Sequence, residues 1–372
     1  MLEGQRRNPT LGMGIDTPAA AVAIVGLTRP GQPPMPYKVA EYKNIVGRAG
    51  RLGLTGRGES FLVPEGTLDS ARAWNLYVNG RLEDVRSQLM PDGDARSLIL
   101  RFLARHAADA AGVIAESSVL DFLDASFAAF QAREGGMAQS DKARLVASFD
   151  QLVSSSLIMS EGDGFRLTEL GRFTGESGVH VDSIVRLAHV LRGVGPHLNS
   201  VGLITAAQLT NDLDGVYLLV NAKAKNTEVP RWPRVLEQQG VPRTLIRALG
   251  ITAADTRRST ARAKRAAAAA MWVSRIPMET IERELNQHMY QQVGLAGPVR
   301  AIADRTRDLL PAVGAVLQEL HSDRPGDPLV ARTMLRLELG IQADLIELAR
   351  VLNTALTRPQ WARLPSSGSH RY

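Results

Sequence analysis

The stretch Glu41-Tyr-Lys-Asn-Ile-Val-Gly-Arg-Ala-Gly-Arg-Leu-Gly53 decides how this chain is read. It places two arginines, Arg48 and Arg51, three residues apart, each preceded by a glycine. Positions i and i+3 share a face of a helical turn. The small Gly47, Ala49 and Gly50 let another backbone or a phosphate approach closely. Two guanidinium groups so placed can grip a γ-phosphate and stabilise charge in the transition state of its transfer. The plainer reading of the same residues is a solvated basic helix end.

Working outward, Ala19 to Leu27 reads as a buried strand, Pro30 to Pro36 as a Pro/Gly loop, Val39 to Ile45 as a short helix and Ser60 to Val63 as a second strand. This order fits part of an α/β layer, but it is too small to close a parallel sheet, which needs both faces covered. After Pro91 the pattern turns helical over Ser97–Ala108, Val119–Arg133 and Ser140–Leu157. The last of these, capped at Ser140, puts Leu145, Val146, Phe149, Leu152 and Val153 on one face. A hairpin follows, with Glu161-Gly-Asp-Gly164 supplying the turn chemistry. Helices followed by a β-hairpin form the winged-helix pattern, which serves either to contact nucleic acid or as a packing module. From Val181 to about Leu352 the signal is a bundle of six or seven helices, with breaks near Gly193–Gly195, Gly240, Gly250, Gly294–Gly297 and Pro325–Pro328. The tail Pro365–Tyr372 reads as disordered.

Composition narrows the chemistry. A length of 372 residues suggests two or three domains at roughly 150 residues each. The absence of cysteine rules out disulfides, thiolate metal sites and thiol nucleophiles. No apolar run is long enough to span a bilayer and the N-terminus lacks a signal-peptide core, so the expected compartment is the cytoplasm, with no membrane partner. The seven histidines are scattered. Asn211-Asp-Leu-Asp-Gly215 resembles a calcium loop only faintly, with Asn221 where a Glu is needed, and reads as a helix start or turn. The net charge of +6 is clustered: six basic residues and no acidic one lie between Asp255 and Glu279. On a helix Arg258, Arg262 and Arg265 fall on one face, either as a phosphate-tracking stripe or as a solvated face.

Pro9-Thr-Leu-Gly-Met-Gly-Ile-Asp-Thr-Pro-Ala-Ala20, the strand behind it and Tyr42-Lys-Asn-Ile-Val-Gly-Arg-Ala-Gly-Arg51 together resemble motifs V and VI of superfamily 2 helicases, in the Ski/Hel class. Leu167-Thr-Glu-Leu-Gly-Arg172, Trp272 to Glu282 and the segment Pro298 to Leu317 extend the resemblance over most of the chain. It implies a mainly α fold with a partial α/β segment. Residues 1–90 would be the C-terminal part of a second RecA-like lobe, 91–178 a winged helix, 179–331 a ratchet-type helical bundle and 332–372 a degraded helix-hairpin-helix-like tail. It also implies that Thr10 contacts the nucleic-acid backbone, that Asp16 sits near the ATP ribose or the domain cleft, and that Arg48 and Arg51 face the γ-phosphate. Asn44 stands where the family has Gln. In the ratchet-type helix Asp308 occupies the position of a stacking aromatic, while Arg300 and Arg307 remain able to touch the backbone.

No Gly-Lys-Ser or Gly-Lys-Thr occurs in the chain, so no P-loop is present, and no acidic pair for Mg²⁺ accompanies it. The expectation is a C-terminal fragment of an ATP-dependent DNA helicase that binds nucleic acid, DNA in particular. ATP and Mg²⁺ would enter only if a separate polypeptide supplied the P-loop lobe. The alternatives are a non-catalytic winged-helix nucleic-acid-binding module and one half of a split helicase. Residues 1–90 are expected to leave strand edges exposed.

Overall fold

The computed structural model describes residues 20–29, 35–50, 57–63, 70–87, 89, 94–107, 112–135, 138–221, 227–287, 293–321, 328–352 and 355–364. It divides into two units, 1–87 and 88–372.

The first unit contains strands β1 (Ala21–Ile24), β2 (Thr28–Arg29) and β3 (Met35–Pro36), helix α1 (Val39–Val46), strand β4 (Glu59–Leu62) and helix α2 (Ser70–Ala73), which continues into a π-helical turn at Trp74–Val78. β1 and β4 pair in parallel, with Ala21 opposite Glu59 and Ile24 opposite Leu62, as the strand–helix–strand reading requires. β1 is not the buried strand expected. Of its residues only Ile24 is buried, because among the described residues the sheet has just these two strands. A small core forms around Ile24, Leu27, Tyr42, Ala73 and Tyr77, with the Tyr42 and Tyr77 rings 5.3 Å apart. Glu83 caps α1 by accepting from Val39 N at 2.6 Å and Ala40 N at 3.0 Å, which satisfies two donors that the first helical turn leaves open. Those bonds hold the Glu83 carboxyl below the usual carboxylate range.

The second unit opens with α3 (Ala95–His106), β5 (Val113–Ala115), α4 (Glu116–Asp124), α5 (Phe127–Glu134), α6 (Ala138–Ser154), β6 (Ile158–Glu161), β7 (Gly164–Leu167) and α7 (Glu169–Ser177). The hairpin β6–β7 turns on Gly162-Asp163, with Gly162 at φ +62 and Glu161 opposite Gly164. β5 adds a third strand against β7 that the sequence reading did not anticipate; three residues are too few to show a period. The single helix expected over Val119–Arg133 is two helices. Ala125 closes the first and Ser126 caps the second, its hydroxyl accepting from Ala129 N at 3.2 Å. α6 begins at Ala138, so Ser140 lies inside the helix rather than at its cap. On its expected apolar face Phe149 and Leu152 are buried, but Val146 and Val153 are exposed.

There follow α8 (Val181–Arg192), α9 (Ser200–Ala207), α10 (Asn211–Asp214), α11 (Glu228–Gln238), α12 (Arg243–Ile251), α13 (Thr256–Trp272), α14 (Met278–Asn286), α15 (Ala296–Leu320), α16 (Pro328–Leu339), a 3-10 turn at Ala343–Leu345, α17 (Ile346–Leu352) and α18 (Arg358–Arg363). The chain is mostly helical with small sheets. The breaks at Gly195 and Gly240 use left-handed backbone at φ +83 and +76. Gly250 and Gly297 instead lie within α12 and α15. One continuous apolar core runs from Ile99 to Leu337. At its centre is α13, which packs against α9, α11, α12, α14 and α15. Its Ala266–Ala270 run lets those neighbours approach from every side, and every side chain in the run is buried. No described helix is long and apolar enough to cross a membrane.

Candidate nucleic-acid interface and the buried cation network

Thr10, expected to contact the nucleic-acid backbone, and Asp16 and Arg51, expected to serve a nucleotide, lie outside the described residues. Asn44 is exposed on α1, and Arg48 is half-buried in the turn that follows it. The close approach expected of the small residues here is made by backbone. A Cβ on Gly50, which has φ +68, would run into Gly58. Glycine is therefore required at position 50 by both conformation and space.

The basic stripe of α13 does not face solvent. Asp255 caps the helix, accepting from Arg258 N at 2.7 Å, and Arg257 and Arg258 are exposed in the first turn. Arg262 and Arg265 are each only 2% exposed and Lys264 is fully buried. The expectation that Arg262 and Arg265 join Arg258 on an open face is thereby corrected. The helix carrying them is enclosed, and each cation has an internal anion.

Asp214, at the end of α10, receives both guanidinium groups. Arg262 meets it in bidentate fashion, Nε to Oδ1 at 3.0 Å and Nη2 to Oδ2 at 2.5 Å, and its Nη1 donates to Thr252 Oγ1 at 2.9 Å. Arg265 Nη2 reaches Asp214 Oδ1 at 2.9 Å, and its other nitrogens donate to Gln208 Oε1 and the Val216 carbonyl. Gln208 passes the chain on to Thr306 of α15 at 3.2 Å. Burial alone would raise the Asp214 carboxyl, but the hydrogen bonds and charges of Arg262 and Arg265 outweigh it and hold the group below the usual range. Burial lowers Arg265, with Asp214 working against it. The faint calcium loop is thus a helical turn whose last carboxylate is occupied by arginines.

A second pair lies on another side of α13. Lys264 Nζ donates to Glu228 Oε1 and to the Leu219 carbonyl, each at 2.7 Å. Glu228 Oε2 accepts from Asn221 N at 2.6 Å. Burial pulls the lysine below its ordinary value, and the hydrogen bond it donates to Glu228 opposes that shift. Glu228 and Gln208 were not singled out from the sequence, and Asp214 was noted only within the faint calcium loop. The only hint of their role was the alanine run following the cations, which marks a helix meant for close packing.

Arg300 and Arg307 stand on α15, Arg300 exposed and Arg307 half-buried. Each is tied to a carboxylate of its own helix, Arg300 to Asp304 at 3.8 Å and Arg307 to Asp308 at 3.1 Å. The hydrogen bonds Arg307 donates to Asp308 raise it above its ordinary value. This face carries alternating charge rather than a positive stripe. Among the described residues no cluster of carboxylate and imidazole side chains is arranged to hold a metal.

No protein-family profile matches the chain. It is 31% identical over 166 residues to the ATP-dependent DNA helicase Hel308 of Caldivirga maquilingensis, a match covering 44% of this chain and 21% of the helicase. The enzyme of the same name from Pyrobaculum calidifontis is 28% identical over 167 residues, covering 44% and 23%. That of Methanocella arvoryzae is 26% identical over 218 residues, covering 56% and 28%. The chain thus matches between a fifth and just over a quarter of the length of these relatives. Over about half of its own length, it has a relationship to DNA helicases.

Proposed function

We propose that this chain is the nucleic-acid-engaging part of an ATP-dependent DNA helicase of superfamily 2, in the Ski/Hel class. The observation that carries the reading is the similarity, over 44–56% of the chain, to proteins named ATP-dependent DNA helicases. The helices and hairpin from α3 to α7 fit the order of a winged helix, and the helices from α8 to α16 fit a ratchet-type bundle. The parallel pair β1–β4 with α1 fits part of a RecA-like lobe. In this reading Thr10 contacts the DNA backbone and Asp16, Asn44, Arg48 and Arg51 serve a nucleotide. That nucleotide also needs a phosphate-cradling loop and Mg²⁺-binding carboxylates, which the 372 residues of this sequence do not supply. The surface cations left to meet DNA are Arg258 on α13 and Arg300 and Arg307 on α15. Arg262 and Arg265 serve the fold.

The test is fluorescence anisotropy of labelled single-stranded DNA across a salt series. The expected dissociation constant lies roughly in the micromolar range, with a negative slope of log affinity against log salt. Arg300→Glu with Arg307→Glu should flatten that slope by about 1 to 2. Absence of DNA binding at low salt would overturn the reading. A catalysis-free module is favoured over a self-sufficient enzyme by the lack of any Gly-Lys-Ser or Gly-Lys-Thr. DNA-stimulated ATP hydrolysis by the purified chain alone would reverse that preference.

A further inference from the structure

In a winged helix that reads duplex DNA, the helix before the hairpin and the hairpin itself approach phosphates, so cations are expected there. Among the described residues, the corresponding face of this chain is built differently. Between α6 and the β6–β7 hairpin lies a cleft of about 400 Å³. Its apolar floor is made by Val146, Phe149 and Val153 of α6 with Phe165 of β7. The Phe149 and Phe165 rings stack at 4.7 Å and 8°. Val146 and Val153, 42% and 37% exposed, stand seven residues apart on the outward face of the helix with Asp150 between them.

The rim is acidic. Among the described residues Glu116, Asp150 and Asp163 line the cleft, and no lysine or arginine does. Among the described residues none of these three carboxylates forms an ion pair, whereas the nearby Glu161 is held by Arg166. Three open carboxylates around an apolar floor repel phosphate and attract cations that carry apolar groups with them. Two valines spaced by two helical turns over stacked rings supply the apolar half of that match.

We propose that this cleft docks a basic, amphipathic peptide segment of a protein partner. Apolar side chains of the segment would enter between α6 and the hairpin, and its lysines or arginines would face Glu116, Asp150 and Asp163. The module would then attach a partner protein to a nucleic-acid-binding chain instead of reading duplex sequence with this face.

The chain has no cysteine, so one introduced thiol reports on one place. Ser154, at the edge of the cleft, is the site: Ser154→Cys in the full chain, labelled with an environment-sensitive dye. The probe is a synthetic helical peptide of leucine, alanine and lysine with its leucines on one face. The control replaces each lysine by glutamate. The dye is expected to respond to the lysine peptide and not to the glutamate one, with a response that weakens as salt is raised. Asp150→Lys with Asp163→Lys should weaken lysine-peptide binding by about tenfold or more. Both positions are exposed, and an unchanged melting temperature verifies that the variant is folded. Asp150→Asn, which removes one charge without reversing it, should give an intermediate loss. A silent dye, an equal response to both peptides, or undiminished binding by the reversed variant would overturn the proposal. A response to duplex DNA without a response to the lysine peptide would overturn it in favour of nucleic acid.

Discussion

Lys264 Nζ lies 2.7 Å from Glu228 Oε1, and neither side chain is open to solvent. A buried pair of this kind is costly to break, because removing one partner leaves the other charge uncompensated in a poorly polarisable interior. Glu228→Gln is expected to cost about 3–5 kcal/mol of unfolding free energy in a urea titration. The double variant Lys264→Met, Glu228→Gln should recover a large part of that loss, since no bare charge then remains. Equal stability of the single and double variants would show that packing around Trp232, not charge, sets the cost.

Asp214 gives the fold a dependence on acid. Its carboxyl titrates below its ordinary value in the folded chain, so the unfolded chain takes up the proton first as pH falls. The stability it contributes is fully present above the unfolded value of about 3.9 and is lost as pH falls through the lower, folded value. Asp214→Asn should therefore be less stable than the parent at neutral pH, and the difference should shrink on acidification. Chemical denaturation at pH 7, 4 and 3, compared between the two proteins, measures this. A gap that stays constant with pH would remove the arginine pair as its cause.

Gly340 is held at φ +65 beside two side chains, Arg358 Nε and Trp272 Cε2, which a Cβ would meet at 2.5 and 3.0 Å. The Arg358 guanidinium sits 4.3 Å over the Trp272 ring and donates to the Trp272 and Ile276 carbonyls. Gly340→Ala is expected to cost about 2 kcal/mol or more from strain and displacement together. The loss should appear as faster amide exchange in α16 to α18. Unchanged exchange there would contradict the role given to this contact.

The first unit exposes apolar surface: Val25, Phe61 and Trp74 are all more than half exposed. Open strands with such side chains favour pairing between copies. The chain is expected to self-associate with rising concentration in light-scattering-coupled chromatography, and Phe61→Lys should reduce that association. A monomer at all concentrations would count against it.

Local features were legible in advance. The Gly162-Asp163 turn, the β1–α1–β4 order and the breaks at Gly195 and Gly240 depend on residues within a few positions of one another, so the sequence displays them directly. The division of Val119–Arg133 was missed because a serine cap is a weak signal inside a periodic stretch. The exposure of Val146 and Val153 was missed because periodicity marks an apolar face without saying what covers it.

The sequence by itself determined the helical character of the chain, its punctuation, its lack of thiol chemistry and the clustering of charge in α13. Only the tertiary structure decided where that charge goes. Arg262 and Asp214 are 48 residues apart in the chain and Lys264 and Glu228 are 36 apart, so no local pattern shows that they meet. A cation beside an alanine run reads equally well as a solvated face or a buried one. The choice rests on whether a distant carboxylate is brought close enough to offset its desolvation.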